Sequence, residues 1–370
     1  MPTPEVPTSA SRLRSLDLLR GLDMLLLTVI GPLLWGVHRV WGLPPWVREQ
    51  LTHVSWEGLT LWDLIMPLFI FMCGAAVPFA LPKRLTNGKP GWPFWRHVLG
   101  RVALLWVLGM IAQGNLLTLN PDRIVFYNNT LQAIAAGYLI AALAFLIPWR
   151  GVRVALPLLL AGAYGLILAT CGDYTPVGNA ALRFERWLFP SNHDGYSWTL
   201  TSLMFGAMTL CGMHCTELLR SRLTPWRKVG ALVLLGGALL GGGLLLGHWE
   251  PAIKRVYTVS FTAQALGWGT LALAALYLLA DVLRLCRGPG LVTLFGQYAL
   301  TAYLCEEVFA PVLRTAANLL TQGVPYWLGA RPQPFVQALA AAALLTGVLL
   351  IRKRLATCAA KPRAHVPAGD

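Results

Sequence analysis

Residues 53–81 read HVSWEGLTLWDLIMPLFIFMCGAAVPFAL. From Leu59 to Leu81 Asp63 is the one charged residue. About 20 apolar residues in a helix match the roughly 30 Å hydrocarbon core of a bilayer, so this run reads as a membrane span. Nine more segments share that character: 16–37, 96–113, 130–148, 152–171, 198–219, 228–248, 258–281, 290–320 and 333–351. The expected fold is an all-α integral membrane protein of about ten transmembrane helices. The ninth segment is long and contains Pro311, where a kink or break is expected. The composition agrees. Of 370 residues, 56% are hydrophobic and 12% charged, against roughly 25% charged in soluble domains.

The formal net charge of +14 would suggest nucleic acid in a soluble chain. Here its placement gives a plainer cause. Of the 30 Lys and Arg residues, 21 fall in one alternate set of loops and 8 in the other, with Arg314 inside the ninth segment. The positive-inside rule then puts both termini in the cytoplasm of a multi-pass protein of the cytoplasmic (inner) membrane. Residues 1–11 are expected to be a disordered leader, 12–355 one membrane domain and 356–370 a cytoplasmic tail. The seven cysteines form no CxxC pair, so neither a metal site nor a disulfide framework is expected. Residues 236–247, GGALLGGGLLLG, read as a helix whose small residues allow close packing.

Ionisable groups inside spans are costly and are therefore functional candidates. Asp17, Arg20 and Asp23 share a face of the first segment. Glu306 and Glu307 stand in the ninth, within reach of Arg314 as a partner. Asp63 should face the bundle interior. His53 stands just ahead of the second span, and histidine is a residue type suited to a general base or a nucleophile. Glu57 follows four residues later and would orient the imidazole if this stretch is helical. The plainer reading is an interfacial histidine among Trp46, Trp56 and Trp62.

The order of motifs resembles the transmembrane acyltransferases of the heparan-α-glucosaminide N-acetyltransferase family. The stretches that carry the resemblance are RLRSLDLLRGLDM (12–24), the quoted 53–81, FYNNTLQAIAAGYLIAAL (126–143), GYSWTLTSLMFGAMTLCGMHC (195–215), PAIKRVYTVSFTAQALGWG (251–269) and LFGQYALTAYLCEEV (294–308). The resemblance implies acetyl transfer across the membrane. Cytoplasmic acetyl-CoA is the donor, and the amino group of a glucosamine or related glycan on the far side is the acceptor. The family's catalytic histidine maps onto His53. Its companion asparagine on the first helix has no counterpart in LTVIGPLLWG (27–36); Asn128 and Asn129, at the entrance of the fourth helix, are candidate replacements. Some family members form dimers.

A CoA donor needs cations at the cytoplasmic face. Arg14, Arg20, Lys83, Arg84, Arg150 and Arg153 are the candidates, beside the reading that they only obey the positive-inside rule. Trp56, His193, Lys254, Arg255 and Tyr257 are candidates for acceptor binding, and Asn128, Asn129 or Trp56 for oxyanion stabilisation. The residues leave open whether His53 deprotonates the amine or is itself acetylated. A sugar or amino-sugar transporter is the rival reading, since helices, buried carboxylates and aromatic loops suit a sugar path as well.

Overall fold

A computed structural model describes residues 13–190, 195–285 and 290–359. His193 and nearly all of the expected leader and tail lie outside the described residues. The described part is helical, with no strand beyond the isolated bridges Glu57–Ile253 and Thr86–Lys89. Seven helices among the described residues are long and apolar enough to cross a membrane. Together with the composition, this makes the chain an all-α membrane protein.

The chain divides into two compact units. One holds the described residues of Met1–Arg20 and Pro45–Gly288, the other those of Gly21–Pro44 and Pro289–Asp370. In chain order the helices are α1 (Arg14–Trp41), α2 (Leu61–Ala80), α3 (Trp92–Ala112) and α4 (Thr130–Phe145). Then come α5 (Arg150–Cys171), α6 (Ser202–Leu219), α7 (Pro225–Leu246) and α8 (Val259–Val282).

In the larger unit α6 is the hub, packed against α2, α4 and α5, while α3 pairs with α4 and α7 with α8. Glycine sets the closeness of the central pair. A Cβ on Gly74 of α2 would strike the Thr209 carbonyl, and one on Gly212 of α6 would strike the Phe71 carbonyl. Without a hydrophobic drive between helices in lipid, such small-residue contacts hold a bundle together. The glycine run of α7 divides. Gly236 and Gly243 press on α8, whereas nothing lies within 4 Å of a Cβ on Gly237, Gly241 or Gly242. The peripheral α5 buries only Tyr164 and Leu168 and exposes Leu158, Leu159 and Leu166, as a lipid-facing helix should. Asp281 near the end of α8 accepts the Arg14 and Ser15 N–H groups at 3.1 and 3.0 Å, capping the start of α1 with an anion.

In the smaller unit the ninth segment is broken into α9 (Leu291–Gln297), α10 (Ala299–Glu307) and α11 (Ala310–Thr321). The expected break at Pro311 falls earlier. Tyr298 and Phe309 leave helical geometry, and Pro311 sits in the first turn of α11, where its missing N–H costs nothing. Helix α12 (Gln333–Cys358) packs on α11 and on the Gly31–Trp41 part of α1. Arg314 pairs with Glu306 at 3.6 Å. The expected Asp17–Arg20–Asp23 cluster is incomplete: Arg20 lies 3.9 Å from Asp17, while both Asp23 carboxylate oxygens lack a partner among the described residues.

Candidate functional site

The site forms where two helices begin. Helix α2 starts with a capping box. The Thr60 side chain accepts the Asp63 N–H, and Asp63 Oδ2 accepts the Thr60 N–H at 3.2 Å. The Thr60 hydroxyl lies 2.8 Å from the same oxygen, and the Val54 N–H 3.5 Å from it. Helix geometry thus fixes one carboxylate oxygen and leaves Oδ1 to face outward from the cap.

Helix α8 starts with a similar device. Thr258 accepts the Phe261 N–H at 3.4 Å and the Ile253 N–H at 2.9 Å, and donates to the Pro251 carbonyl at 2.9 Å. Between these bonds the chain makes a tight 3-10 turn at Lys254–Val256, closed by Tyr257 at φ 47°. The two entrances are tied together. Gly58 donates to the Ala252 carbonyl at 2.8 Å, next to the Glu57–Ile253 bridge. This tie carries Lys254 to His53, 201 positions away in sequence.

Three side chains meet at Asp63 Oδ1. His53 Nδ1 is 2.7 Å from it and Lys254 Nζ 3.1 Å, with Lys254 Nζ 3.0 Å from His53 Nδ1. Asp63 is fully buried, Lys254 nearly so, and the His53 side chain is 48% exposed. The 2.7 Å contact of Nδ1 with an ionised carboxylate favours Nδ1–H donating to Asp63 over a bare Nδ1 accepting from Lys254 at 3.0 Å, and Lys254 then donates to the same oxygen. The remaining ring nitrogen, Nε2, is then left without a proton. Burial pushes the Lys254 amine below its ordinary value, and the Asp63 carboxylate acts against that.

Tyr257 lies beside this group. Its ring packs edge-on against Phe205 and Phe261 at 5.0 and 5.3 Å, and its hydroxyl is buried without a partner among the described residues. Burial, then Tyr196 and the Asp63 charge, hold this hydroxyl well above its ordinary value, so it stays neutral and able to donate. Arg255 lies over the Tyr196 ring at 5.5 Å, and its carbonyl accepts the Ser197 N–H at 2.9 Å.

Several sequence candidates fall elsewhere. Residues 53–60 are not helical, because Gly58 adopts φ 120° and the strand-like tie takes Glu57 into its bridge. Glu57 is exposed, and the carboxylate on the imidazole is Asp63. The Trp56 indole N–H donates to the Tyr174 carbonyl at 2.8 Å, which commits it away from an oxyanion. Asn129 caps α4: its Oδ1 accepts the Leu131 N–H at 2.7 Å and its Nδ2 donates to Gln113 Oε1 at 3.1 Å. The Asn128 N–H donates to Gln132 Oε1 at 3.0 Å, and its Nδ2 lies 3.5 Å from the Gln113 carbonyl. Both asparagines therefore serve the α3–α4 connection.

The six cations lie at three helix ends. Arg14 and Arg20 are at the start of α1, Lys83 and Arg84 just beyond the end of α2, and Arg150 and Arg153 at the start of α5. Arg153 is 4.0 Å from Glu217, whose other oxygen is 3.0 Å from His214. Lys83, Arg84 and Arg150 have no ion pair within 4.0 Å among the described residues. Reasoning from sequence missed the joining of Lys254 to His53 and the part of Thr60. Thr60-x-x-Asp63 ahead of an apolar run is a capping-box signature and would have pointed to Thr60.

Comparison with known proteins adds the relatives. A family model described as a domain of unknown function (DUF5009) matches residues 12–141, which include His53, Thr60 and Asp63. The chain is 28% identical over 148 residues to heparan-alpha-glucosaminide N-acetyltransferase of Mus musculus, covering 39% of this chain and 21% of that protein. It is 28% identical over 134 residues to the Homo sapiens protein of the same name, covering 35% and 18%. The chain thus spans about a fifth of the length of the curated relatives it matches, and its similarity is to proteins named as an N-acetyltransferase.

Proposed function

We propose that the protein is a transmembrane acetyltransferase. It takes the acetyl group from acetyl-CoA at the cytoplasmic face and places it on the amine of an amino sugar or glycan outside. The observation that carries this reading is the His53–Asp63–Lys254 group at the mouth of α2. A half-exposed imidazole with a buried carboxylate on one nitrogen and, among the described residues, no hydrogen-bond partner on the other is suited to proton transfer or acyl transfer.

The acceptor enters as the neutral amine, and His53 Nε2 takes a proton from its nitrogen as it attacks. The amine lone pair attacks the thioester carbonyl, and the C–S bond breaks as the tetrahedral centre collapses. His53 then returns the proton to the leaving thiolate. Asp63 holds the ring in the required tautomer and stabilises the imidazolium, while Lys254 keeps Asp63 ionised. The neutral Tyr257 hydroxyl, buried without a partner among the described residues, is the donor we assign to the developing oxyanion. The same tautomer also suits direct attack by Nε2 on the thioester. Lys83 and Arg84 stand at the end of α2 opposite His53, across a helix of 20 residues, or about 30 Å. One helix thus joins a basic end suited to CoA phosphates to the proposed acyl-transfer end.

The test uses sealed proteoliposomes with acetyl-labelled CoA inside and glucosamine outside. Wild type should yield labelled N-acetylglucosamine outside, and His53→Ala should yield none. Label transfer that survives His53→Ala overturns the assignment. Counterflow of N-acetylglucosamine without any acyl donor would favour a transporter.

A further inference from the structure

A second group of polar side chains lies toward the other end of α2, away from the His53–Asp63–Lys254 group, and includes Arg84 of the basic end described above. Arg101 is on α3, nine residues past Trp92 and therefore about 13 Å along the helix. Its guanidinium stacks 4.6 Å above the Tyr138 ring of α4, and among the described residues its one hydrogen bond is a 3.7 Å contact with Cys73 Sγ of α2. His97 is one turn before Arg101 on α3. Arg84 stands in the exposed turn after α2, and the charges of Arg84 and Arg101 both act on His97 and on Tyr138.

Two features are unusual. Neither Arg84 nor Arg101 has a carboxylate within ion-pair distance among the described residues. An arginine inside a span costs roughly 2.5–3.5 kcal/mol on insertion scales and normally has an anionic partner. Tyr138 is only 1% exposed, yet its hydroxyl has no hydrogen-bond partner among the described residues, and neither does His97 Nε2, also buried. Orphaned buried donors next to unpaired cations mark the place of a missing acceptor.

We propose that Arg84, His97, Arg101 and Tyr138 form a binding site for a phosphate group. Two guanidinium groups, an imidazole N–H and a phenol supply donors from three elements. That spread suits a tetrahedral anion, whereas a planar carboxylate would be satisfied by one guanidinium fork. The site lies at the basic end of α2, so the phosphate reaches it from that face. It belongs either to coenzyme A, which rests on the acyltransferase reading, or to the headgroup of an anionic phospholipid, which does not.

The purified full chain is titrated with coenzyme A, 3′-dephospho-coenzyme A and inorganic phosphate, and retained phosphatidylglycerol is read by native mass spectrometry. Arg101→Gln should weaken one of these interactions by about tenfold. Tyr138→Phe, which keeps the ring, and Arg84→Gln, at an exposed turn, should each weaken it by roughly threefold to tenfold. Loss confined to the coenzymes identifies the donor's phosphate, and loss of retained lipid identifies a headgroup. His53→Ala should leave binding intact, so failed transfer and a failed phosphate site are distinguishable. The proposal is overturned if Tyr138→Phe and Arg84→Gln melt normally and leave both coenzyme affinity and lipid retention within about twofold of wild type.

Discussion

Asp63→Asn tests the chemistry at a single atom. Asp63 Oδ1 receives His53 at 2.7 Å and Lys254 at 3.1 Å, while Oδ2 receives the Thr60 N–H at 3.2 Å. An asparagine fits the space but not the protons. With its carbonyl toward His53, its NH2 faces the Thr60 N–H, donor against donor. With its NH2 toward His53, the ring must accept on Nδ1, and its proton moves to Nε2, where the base is needed. In either pose Lys254 keeps a buried charge without an anion. The rate constant for transfer should fall roughly 10³–10⁴-fold, equivalent to about 4–5 kcal/mol of transition-state stabilisation. KM for the donor should change little. Loss of the buried partner should cost roughly 3 kcal/mol of stability, the lower end for such pairs because His53 leaves the site open on one side. The assay is the initial rate of labelled acetyl transfer in detergent, with a thermal melt of the same sample. Adding Lys254→Met to Asp63→Asn should recover about half of the lost stability and none of the activity. A normal melt with a rate within about threefold of wild type would refute the proton assignment.

Other perturbations separate structure from chemistry. Asn129→Ala removes the α4 cap and should lower stability by about 1 kcal/mol while leaving the transfer rate unchanged; a melt and a rate assay check both. Trp56→Phe loses only the bond to the Tyr174 carbonyl, so kcat should fall less than about threefold, against the roughly 10²-fold expected of an oxyanion donor. Gly74→Ala pushes a methyl into the Thr209 carbonyl and should cost about 1–3 kcal/mol, read as a lower melting temperature. Glu250 is buried, accepts the Ser260 N–H at 2.9 Å, and burial raises its acid above the ordinary range. A raised folded value means the contribution to stability is complete below about pH 4.5 and is lost as pH rises through the raised value. Glu250→Gln should therefore flatten the dependence of melting temperature on pH in that window and melt higher than wild type at neutral pH.

Seven helices among the described residues were legible because each carries a long apolar run, and a bilayer admits little else. The ninth was misjudged because Gln297, Glu306 and Glu307 interrupt its apolar character, and the backbone leaves the helix at Tyr298 and Phe309, ahead of the proline. At the site, His53 and Asp63 were both visible as ionisable groups beside and inside an apolar run, but their pairing was not. Helical spacing pointed to Glu57, whereas Gly58 at φ 120° breaks that spacing and the α2 cap presents Asp63 instead. Lys254 lay beyond local reasoning. Its place at Asp63 depends on a backbone tie between the entrances of two helices far apart in sequence, which no short pattern encodes. Of the two asparagines, Asn129 has a structural role that its position just ahead of an apolar run already suggests, that of an N-cap.

Chemical rescue tests the central claim most directly. His53→Ala should be inactive and should regain transfer when imidazole is added, because the small ring can enter the vacated space and donate to Asp63 while its other nitrogen acts as base. The same imidazole should fail to rescue His53→Ala combined with Asp63→Asn. Equal rescue in both backgrounds, or transfer by His53→Ala without any imidazole, would contradict the account.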